Sequence, residues 1–440
     1  MGLRDPKDKI AELAGEFSLD RTLQDLDEQA QSAEQGKWQS YKIEVITPIF
    51  GGGVKAGVPD TKMPIRASAI RGQLRYWWRF LAKAENEEWS NEDLFEKERE
   101  IWGGMAEEGE DYSSKVKIRI KILSKIPIPK PYDNQPPQYA LFPAREQTQT
   151  VPPQPAKKLL WPDPNKKIEL VFQLQLCAPK KNMVEVERVL RWWVTFGGIG
   201  ARTRRGCGSI YCTEPNKLIP IRQEKAEEVG CKLIFPKKNT PTDAAKAWEY
   251  AVQLLHNFRQ GREVREPNYG RSKWPEPDSI REIMNTHFRA HPPSRKARIS
   301  FPRAAFGLPI VFKFKDNQPG EPEVTTLIPA EDKLERVASP LILKPYPVEY
   351  RKTGGPKCVS CALLLPHEHI NRMNVELVDN DGVQHSCPTG KEQSWQNKGW
   401  ANWATDWQNK TKMRDVDPIK NNQGTDALTA FMNFFARGGA

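Results

Sequence analysis

Histidine is scarce and unevenly placed: the 440-residue chain has six, and the first of them is His256. A metal-independent nuclease that relies on a histidine base has no such group in the first half of the chain. Cysteine is sparse too, with seven scattered residues. That excludes a disulfide-stapled scaffold and points to reduced thiols and a cytoplasmic setting. There is no apolar run of about 18 residues, so no membrane-spanning helix is expected. The opening MGLRDPKDKIAELAGEF is charged and has no apolar signal core, and Pro6 stands where a myristoylation signal carries Ser or Thr. What the chain does have is positive charge: 67 Lys and Arg against 56 Asp and Glu, a net +11, and a pI of about 9.1. That surplus favours a polyanionic partner.

Residues 1–39 are acidic and Gln-rich, with Ile10, Leu13, Phe17, Leu19, Leu23 and Leu26 at loosely helical spacing, and read as an appended helical arm. YKIEVITPIF (41–50) alternates as a strand does, and Pro48 and Gly51–Gly53 end it. A helix then begins near Ser68, a plausible N-cap, with Ile70, Leu74, Trp77 and Leu81 on one face. SKVKIRIKIL (114–123) reads as a half-exposed strand. Eleven prolines between Lys125 and Lys167 exclude a regular helix or central strand and predict a long protruding insertion, with a short ordered part at YALFPAR. KIELVFQLQLCAP is a strand. NMVEVERVLRWWVTFGG is a helix with Val186, Leu190 and Trp193 inward, and GSIYCTE is a closing strand. The order β-α-β-β-α-β over residues 40–225 is that of a ferredoxin-like fold, one antiparallel sheet with two helices on one face. Residues 226–440 carry a helix with Asp243 near its start, strands at RISFPRAAFGLPIVFKF, EVTTLIP and ERVASPLILKPY, and a final amphipathic helix at TDALTAFMNFFAR. They fit a second, decorated copy, so the fold class is α+β.

Two stretches look built for anions. FGGIGARTRRGCGSI (196–210) holds five glycines and three arginines. It is not a Walker loop, because Cys207 stands where Lys is needed. It is not a Rossmann loop, because Thr203 stands where the third Gly belongs. It also follows a helix and precedes a strand, the reverse of a phosphate cradle. An anion there needs side-chain cations, which Arg202, Arg204 and Arg205 supply, while Gly198 and Gly200 allow close approach. A plain helix C-cap followed by a solvated arginine turn is the structural alternative. The second stretch, Thr47 to Leu81, carries Lys55, Lys62, Arg66, Arg71, Arg75 and Arg79 against Asp60 alone. Arg71, Arg75 and Arg79 form one helical stripe, the helix N-terminus at Ser68 offers free N–H groups, and Phe50 beside Gly51, Gly52 and Gly53 is placed to stack on a base. The alternative is a solvated arginine face paired with acidic residues elsewhere. If both loops face one sheet edge, they form a single basic groove for an extended phosphodiester chain. The WW pairs (Trp77–Trp78, Trp192–Trp193) and the stripe Trp400, Trp403, Trp407 fit packing better than base stacking. Cys358 and Cys361, with His367, His369 and Cys387 downstream, have zinc-knuckle spacing without a second C-x-x-C, and His287 and His291 lack the H-E-x-x-H glutamate. Asp60 has no carboxylate partner for metal-assisted chemistry. No catalytic residue, metal or cofactor is assigned.

ITPIFGGG, then PIRASAIRGQLRYWWRFL, then GGIGARTRRGCGS, in that order, resemble the RAMP superfamily of CRISPR proteins, and within it the first subunit of Cmr complexes, the type III-B RNA-guided effectors. FGLPI (306–310) and RVASPLIL (336–343) resemble the second half of that family, so the likeness covers roughly residues 41–350. The N-terminal arm departs from it, since members commonly begin near the first strand. The resemblance implies two fused ferredoxin-like domains in a non-catalytic subunit at the head of the complex. That subunit would touch the 3′ region of the guide RNA and the 5′ side of the target RNA. Its partners would be the backbone RAMP subunits and the neighbouring head subunit, and no membrane. It implies no cyclase, since GGDD is missing, and Asp60 does not sit in a cleavage-aspartate motif. The Pro-rich insertion lies where the family often carries a protruding element, which would contact a neighbouring subunit or the guide–target duplex. Two readings compete with this one: a guide-processing endoribonuclease of the same superfamily, and an assembly cap without RNA contact.

Overall fold

A computed structural model describes residues 36–439 apart from 54–57, 105–112, 149–151, 163–167, 239, 268–270, 294–299, 315–318, 331–333, 351–354, 369, 371–373 and 386–415. Residues 1–35 of the expected N-terminal helical arm, Lys55, His369, Cys387 and the Trp400–Trp407 stripe lie outside the described residues, and Gln39, the last residue of that arm, opens the first strand.

The first sheet is built from β1 (Gln39–Val45), β3 (Lys117–Ile122), β6 (Leu170–Cys177) and β7 (Ile210–Cys212), in the order β3-β6-β1-β7. Every neighbouring pair is antiparallel. Its two long helices, α1 (Ala67–Glu85) and α3 (Lys180–Phe196), cover one face, and α2 (Asn91–Trp102) follows α1. The apolar spacing explains this: Ile70, Leu74, Trp77 and Leu81 of α1 are all buried, as are Val186, Leu190 and Trp193 of α3. Trp77 meets Trp192 with ring centroids 5.6 Å apart, so the tryptophan pairs are core. Two boundaries differ from expectation. The strand expected over 41–50 stops at Val45, and Ile49–Phe50 form a separate strand of another sheet. Helix α1 starts at Ala67 with Arg66 as its N-cap and no side-chain cap, so Ser68 is already inside the first turn.

The second sheet has the order β11-β12-β8, from β8 (Lys232–Ile234), β11 (Leu341–Glu349) and β12 (Lys357–Leu364), again antiparallel. α4 (Ala244–Gln260) lies between β8 and β11 in sequence, and α6 (Ala427–Arg437) follows β12. Asp243 caps α4 by accepting from the Lys246 N–H. This sheet is buried on both faces. Leu233, Ile342, Cys361 and Leu363 join the core formed by α1, α3 and the first sheet, while Leu341, Leu343, Ala362 and Leu364 join the core under α4 and α6. That is why LILKP and CALL read as continuous apolar runs rather than alternating ones. A further four-stranded sheet, β14-β13-β10-β9, is spliced into the second half after α5 (Glu276–Met284): β9 (Ile310–Phe312) and β10 (Thr325–Pro329) before β11, β13 (Val375–Val378) and β14 (Gln384–His385) after β12. The stretch expected as one strand from Arg298 to Phe314 has a short 3-10 turn at Pro302–Phe306 and strand only at β9.

The Pro-rich insertion is docked rather than protruding. Its strands β4 (Lys130–Pro131) and β5 (Lys158–Leu160) pair with β2 (Ile49–Phe50), in the order β2-β5-β4. The ordered YALFPAR segment is a helical turn, Gln138–Leu141, followed by a 3-10 turn. Tyr132, Ala140, Leu141 and Leu159 pack with Phe50, Cys207, Trp248 and Val252 into a core shared with α4. The prolines exclude long regular elements, but they leave enough apolar side chains to bury this one face.

Candidate nucleic-acid interface

The two glycine-containing loops meet. Ala201 N–H donates to the Phe50 carbonyl at 2.7 Å, and Gly208 N–H to the Pro48 carbonyl at 2.7 Å. Thr47 adds a buried side-chain link, Oγ1 donating to the Gly206 carbonyl at 2.6 Å and accepting from the Ser209 N–H at 2.7 Å. Gly200 is required here. Its φ is +83°, and a Cβ on it would lie 2.7 Å from the Phe50 carbonyl oxygen. The close approach that this glycine permits is therefore between the two loops of the protein itself.

Strapped together, the loops and the start of α1 enclose a cleft of about 260 Å³. Gly52, Arg66, Gly198 and Gly200 line it, with Ile70, Trp193 and Ile199 as apolar floor. Helix α1 has no acidic residue in its first turn. Its first hydrogen bond runs from the Ile70 N–H to the Arg66 carbonyl at 3.1 Å, which leaves the Ala67, Ser68 and Ala69 N–H groups without partners among the described residues. That end of the helix is electropositive. Arg66 stands beside it and donates one Nη2 bond to the Gly52 carbonyl at 2.5 Å. Arg71 is half-buried and has no carboxylate partner among the described residues; burial, then the charge of Arg75, lower its pKa below the ordinary arginine value. Asp60 does not line the cleft; it is held below the usual carboxylate range by the N–H groups of Met63 and Lys62, from which it accepts at 3.0 and 2.8 Å.

Five of the expected contact residues are placed elsewhere. Phe50 is 6% exposed, paired through β2 with Leu159, and has no face to offer a base. Arg75 and Arg79 both reach Glu98 of α2 at 2.6 Å, a carboxylate only 2% exposed, so two arginines of the stripe are already partnered, as the alternative reading of that helix held. The loop arginines point into the protein. Arg202 Nε donates to the Ala140 carbonyl in the insertion at 2.5 Å. Arg204 donates to the Ser339 carbonyl and, at 3.0 Å, to the Tyr76 hydroxyl, with its guanidinium 5.4 Å over that ring. Arg205 donates to the Leu341 carbonyl at 2.9 Å and the Phe306 carbonyl at 3.1 Å. Burial, then the like charges of Arg259, Arg202 and Arg204, push Arg205 down to about 9. These three arginines fasten the glycine loop to the insertion and to the second half of the chain; they neither wall the cleft nor form a solvated turn. Gln73 and Ala69, which line the cleft, were not anticipated; their only signal was the helical spacing from Arg66.

The C-x-x-C pair cannot share an ion. Cys358 and Cys361 lie three positions apart on β12, on opposite faces of the sheet, one packed with Ile46 and Tyr211 and the other in the first core. Burial pushes the Cys361 thiol up to about 12. His291 is bonded to Glu321 at 2.8 Å. Among the described residues no helix is long and apolar enough to cross a membrane.

The sequence model of the RAMP superfamily matches residues 42–211, from β1 to β7. No curated protein matches the chain. Among solved structures the chain is similar to the apo form of Cmr1 from Pyrococcus furiosus, with 17% identity, a TM-score of 0.37, and 75% of this chain and 88% of that one covered. It is also similar to a chain of the Type III-B Cmr-beta complex bound to cognate target RNA, with 12% identity, a TM-score of 0.38, and 75% and 95% covered.

Proposed function

We propose, starting from the RAMP-superfamily match of residues 42–211, that the chain is a non-catalytic, cytoplasmic RNA-binding subunit of a type III-B CRISPR effector, with guide and target RNA and the other Cmr subunits as partners. We divide it into two fused ferredoxin-like domains, 40–225 and 226–440. The first sheet supports this, because its four strands stand in the spatial order second-third-first-fourth with two helices on one face. The second supports it with three strands in the order second-third-first, and α4 and α6 on one face.

The observation that carries the RNA reading is the open N-terminus of α1 at the cleft, flanked by Arg66 and Arg71. Free backbone N–H groups and unpaired guanidiniums are phosphate ligands, and the glycine walls let a strand come close. The contact set is Gly52, Gly53, Arg66, Ser68, Arg71, Gly198 and Gly200, with Gly51 shaping the loop behind. Among the described residues the cleft is lined by no carboxylate and no imidazole, so none of them is placed there as a general acid or base to cut a strand. The exposed Ile128 and Phe142 of the insertion, 78% and 65% accessible, offer a neighbouring subunit an apolar contact.

Fluorescence anisotropy of the full chain with a labelled single-stranded RNA, across a salt series, tests the reading. Each phosphate neutralised contributes about −0.7 to the log–log salt slope. R66Q and R71Q together should flatten the slope by about 1.4, whereas R75Q, whose partner is Glu98, should change it far less. An unchanged slope in the double variant would refute the cleft as the RNA site.

A further inference from the structure

A larger cleft, about 680 Å³, lies in the second half of the chain, and five arginines line it: Arg259, Arg265, Arg271, Arg281 and Arg303. Three carboxylates stand in or behind its wall, and each is spent on holding an arginine. Glu321 accepts from Arg281 at 2.8 and 3.2 Å and bonds His291. Asp278 accepts from Arg271 at 2.9 Å and from Arg281 at 3.0 Å. Glu276, fully buried, pairs with Arg303 at 3.2 Å. Arg259 and Arg265 have no carboxylate among the described residues. Arg259 donates from Nη1 to the Tyr139 hydroxyl at 2.8 Å and lies 5.2 Å over the Phe306 ring, and its buried Nε has no acceptor. Arg265 is exposed, and among the described residues its guanidinium is held by a 3.3 Å bond from Nε to the Gln260 carbonyl.

On one side the wall therefore carries two guanidiniums, Arg259 and Arg265, with no carboxylate among the described residues to balance them, and Lys313 adds to the basic lining. On another the wall carries the half-buried Phe314 ring, with the Arg281 guanidinium 5.0 Å from its centroid, beside Phe312 and Ile310. Guanidinium forks suit the oxygens of a phosphate, and a ring stacked with an arginine suits a flat heterocycle. Inorganic phosphate alone would leave the aromatic side and most of the volume unused. The size falls within the range of small-ligand sites.

We propose that this cleft binds a nucleoside monophosphate, either free or as the terminal nucleotide of a strand, with the phosphate on the Arg259–Arg265 side and the base against Phe314. The cleft shares no residue with the one at α1, so the proposal stands or falls apart from the RNA reading. The test is calorimetric titration of the full chain with AMP, adenosine, inorganic phosphate, and a short RNA with and without a terminal phosphate. AMP should bind at least about tenfold more tightly than adenosine or inorganic phosphate, and R265Q should weaken it about tenfold. Arg265 is exposed, so that variant is not expected to disturb folding; R259Q is the second. R66Q with R71Q should leave AMP affinity unchanged. AMP binding alone identifies the free nucleotide as the ligand; competition against AMP by the phosphorylated RNA, lost in R265Q, identifies a strand end. Failure of both AMP and the phosphorylated RNA to bind, or binding indifferent to both R259Q and R265Q, would overturn the proposal.

Discussion

Lys344 offers a test of how the two halves of the chain are joined. It lies on β11, 1% exposed, and its Nζ donates to the carbonyl of Gly197, the residue that caps α3. Cys361 of β12 stands opposite it in the sheet, and the buried thiols of Cys361, Cys358 and Cys207 lie close enough to act on its charge. Burial pushes the amine down to about 7 from its ordinary 10.5. In the folded chain it gives up its proton near neutrality, whereas in the unfolded chain it keeps it. The unfolded state therefore binds more protons between those two values, so stability rises with pH across that window, by about 1.4 kcal/mol per unit. Below about pH 7 both states are protonated and the full cost of burying the ammonium is present. The thiols act in the opposite sense only above their ordinary range, since burial raises Cys207 to about 12 from 9.0. The informative interval thus ends near pH 8.5, and within it Lys344 should add about 2 kcal/mol. K344M removes the titrating group and leaves the Gly197 carbonyl without its donor, a constant cost of about 1–3 kcal/mol. Urea unfolding at about pH 6, 7 and 8.5 should therefore give wild-type and variant curves that diverge with rising pH, the wild type gaining the extra stability. Parallel curves would refute the assignment of a neutral amine at the joint.

Two further outcomes follow from the loop geometry. G200A places a Cβ 2.7 Å from the Phe50 carbonyl oxygen and 2.9 Å from the Ile49 side chain at a φ of +83°; it should cost about 1–3 kcal/mol in denaturant unfolding and weaken RNA binding with it, and wild-type stability would show that the two loops are not strapped as described. R205Q leaves the Leu341 and Phe306 carbonyls short of a charged donor and should cost about 2–3 kcal/mol, while the RNA salt slope of the folded variant stays that of wild type; a flattened slope would return Arg205 to the RNA-contacting set.

Periodicity carried the first half of the fold. The alternation in KIRIKI and LVFQLQLC and the three-to-four spacing of Ile70, Leu74, Trp77 and Leu81 report burial directly, and the strands and helices stand where those patterns put them. The candidate site was legible only in part, because spacing gives the face a side chain occupies but not the partner that reaches it. Nothing in RGQLRYWWR announces that Glu98, 23 residues after Arg75, will occupy two of its arginines. Nor does RTRRGCG show that carbonyls more than 100 residues away will claim Arg204 and Arg205. The burial of Phe50 is hidden for the same reason: a two-residue strand pairing with Leu159 across the insertion has no local signature. The second half was harder because its sheet is buried on both faces and interrupted by another sheet, so that neither period stands out.

The loop that walls the α1 cleft ends two of its arginines, Arg204 and Arg205, on the carbonyls of Phe306, Ser339 and Leu341, and the second sheet turns one face toward the core of the first. The segment that matches the superfamily stops at residue 211, yet its cleft owes its shape to chain far beyond that point. Excised alone, it would present two guanidiniums, those of Arg204 and Arg205, with lost acceptors and the open side of an apolar core. In this protein the unit of family likeness is smaller than the unit of folding, and the part that would grip a strand is finished by the part that the family pattern does not cover.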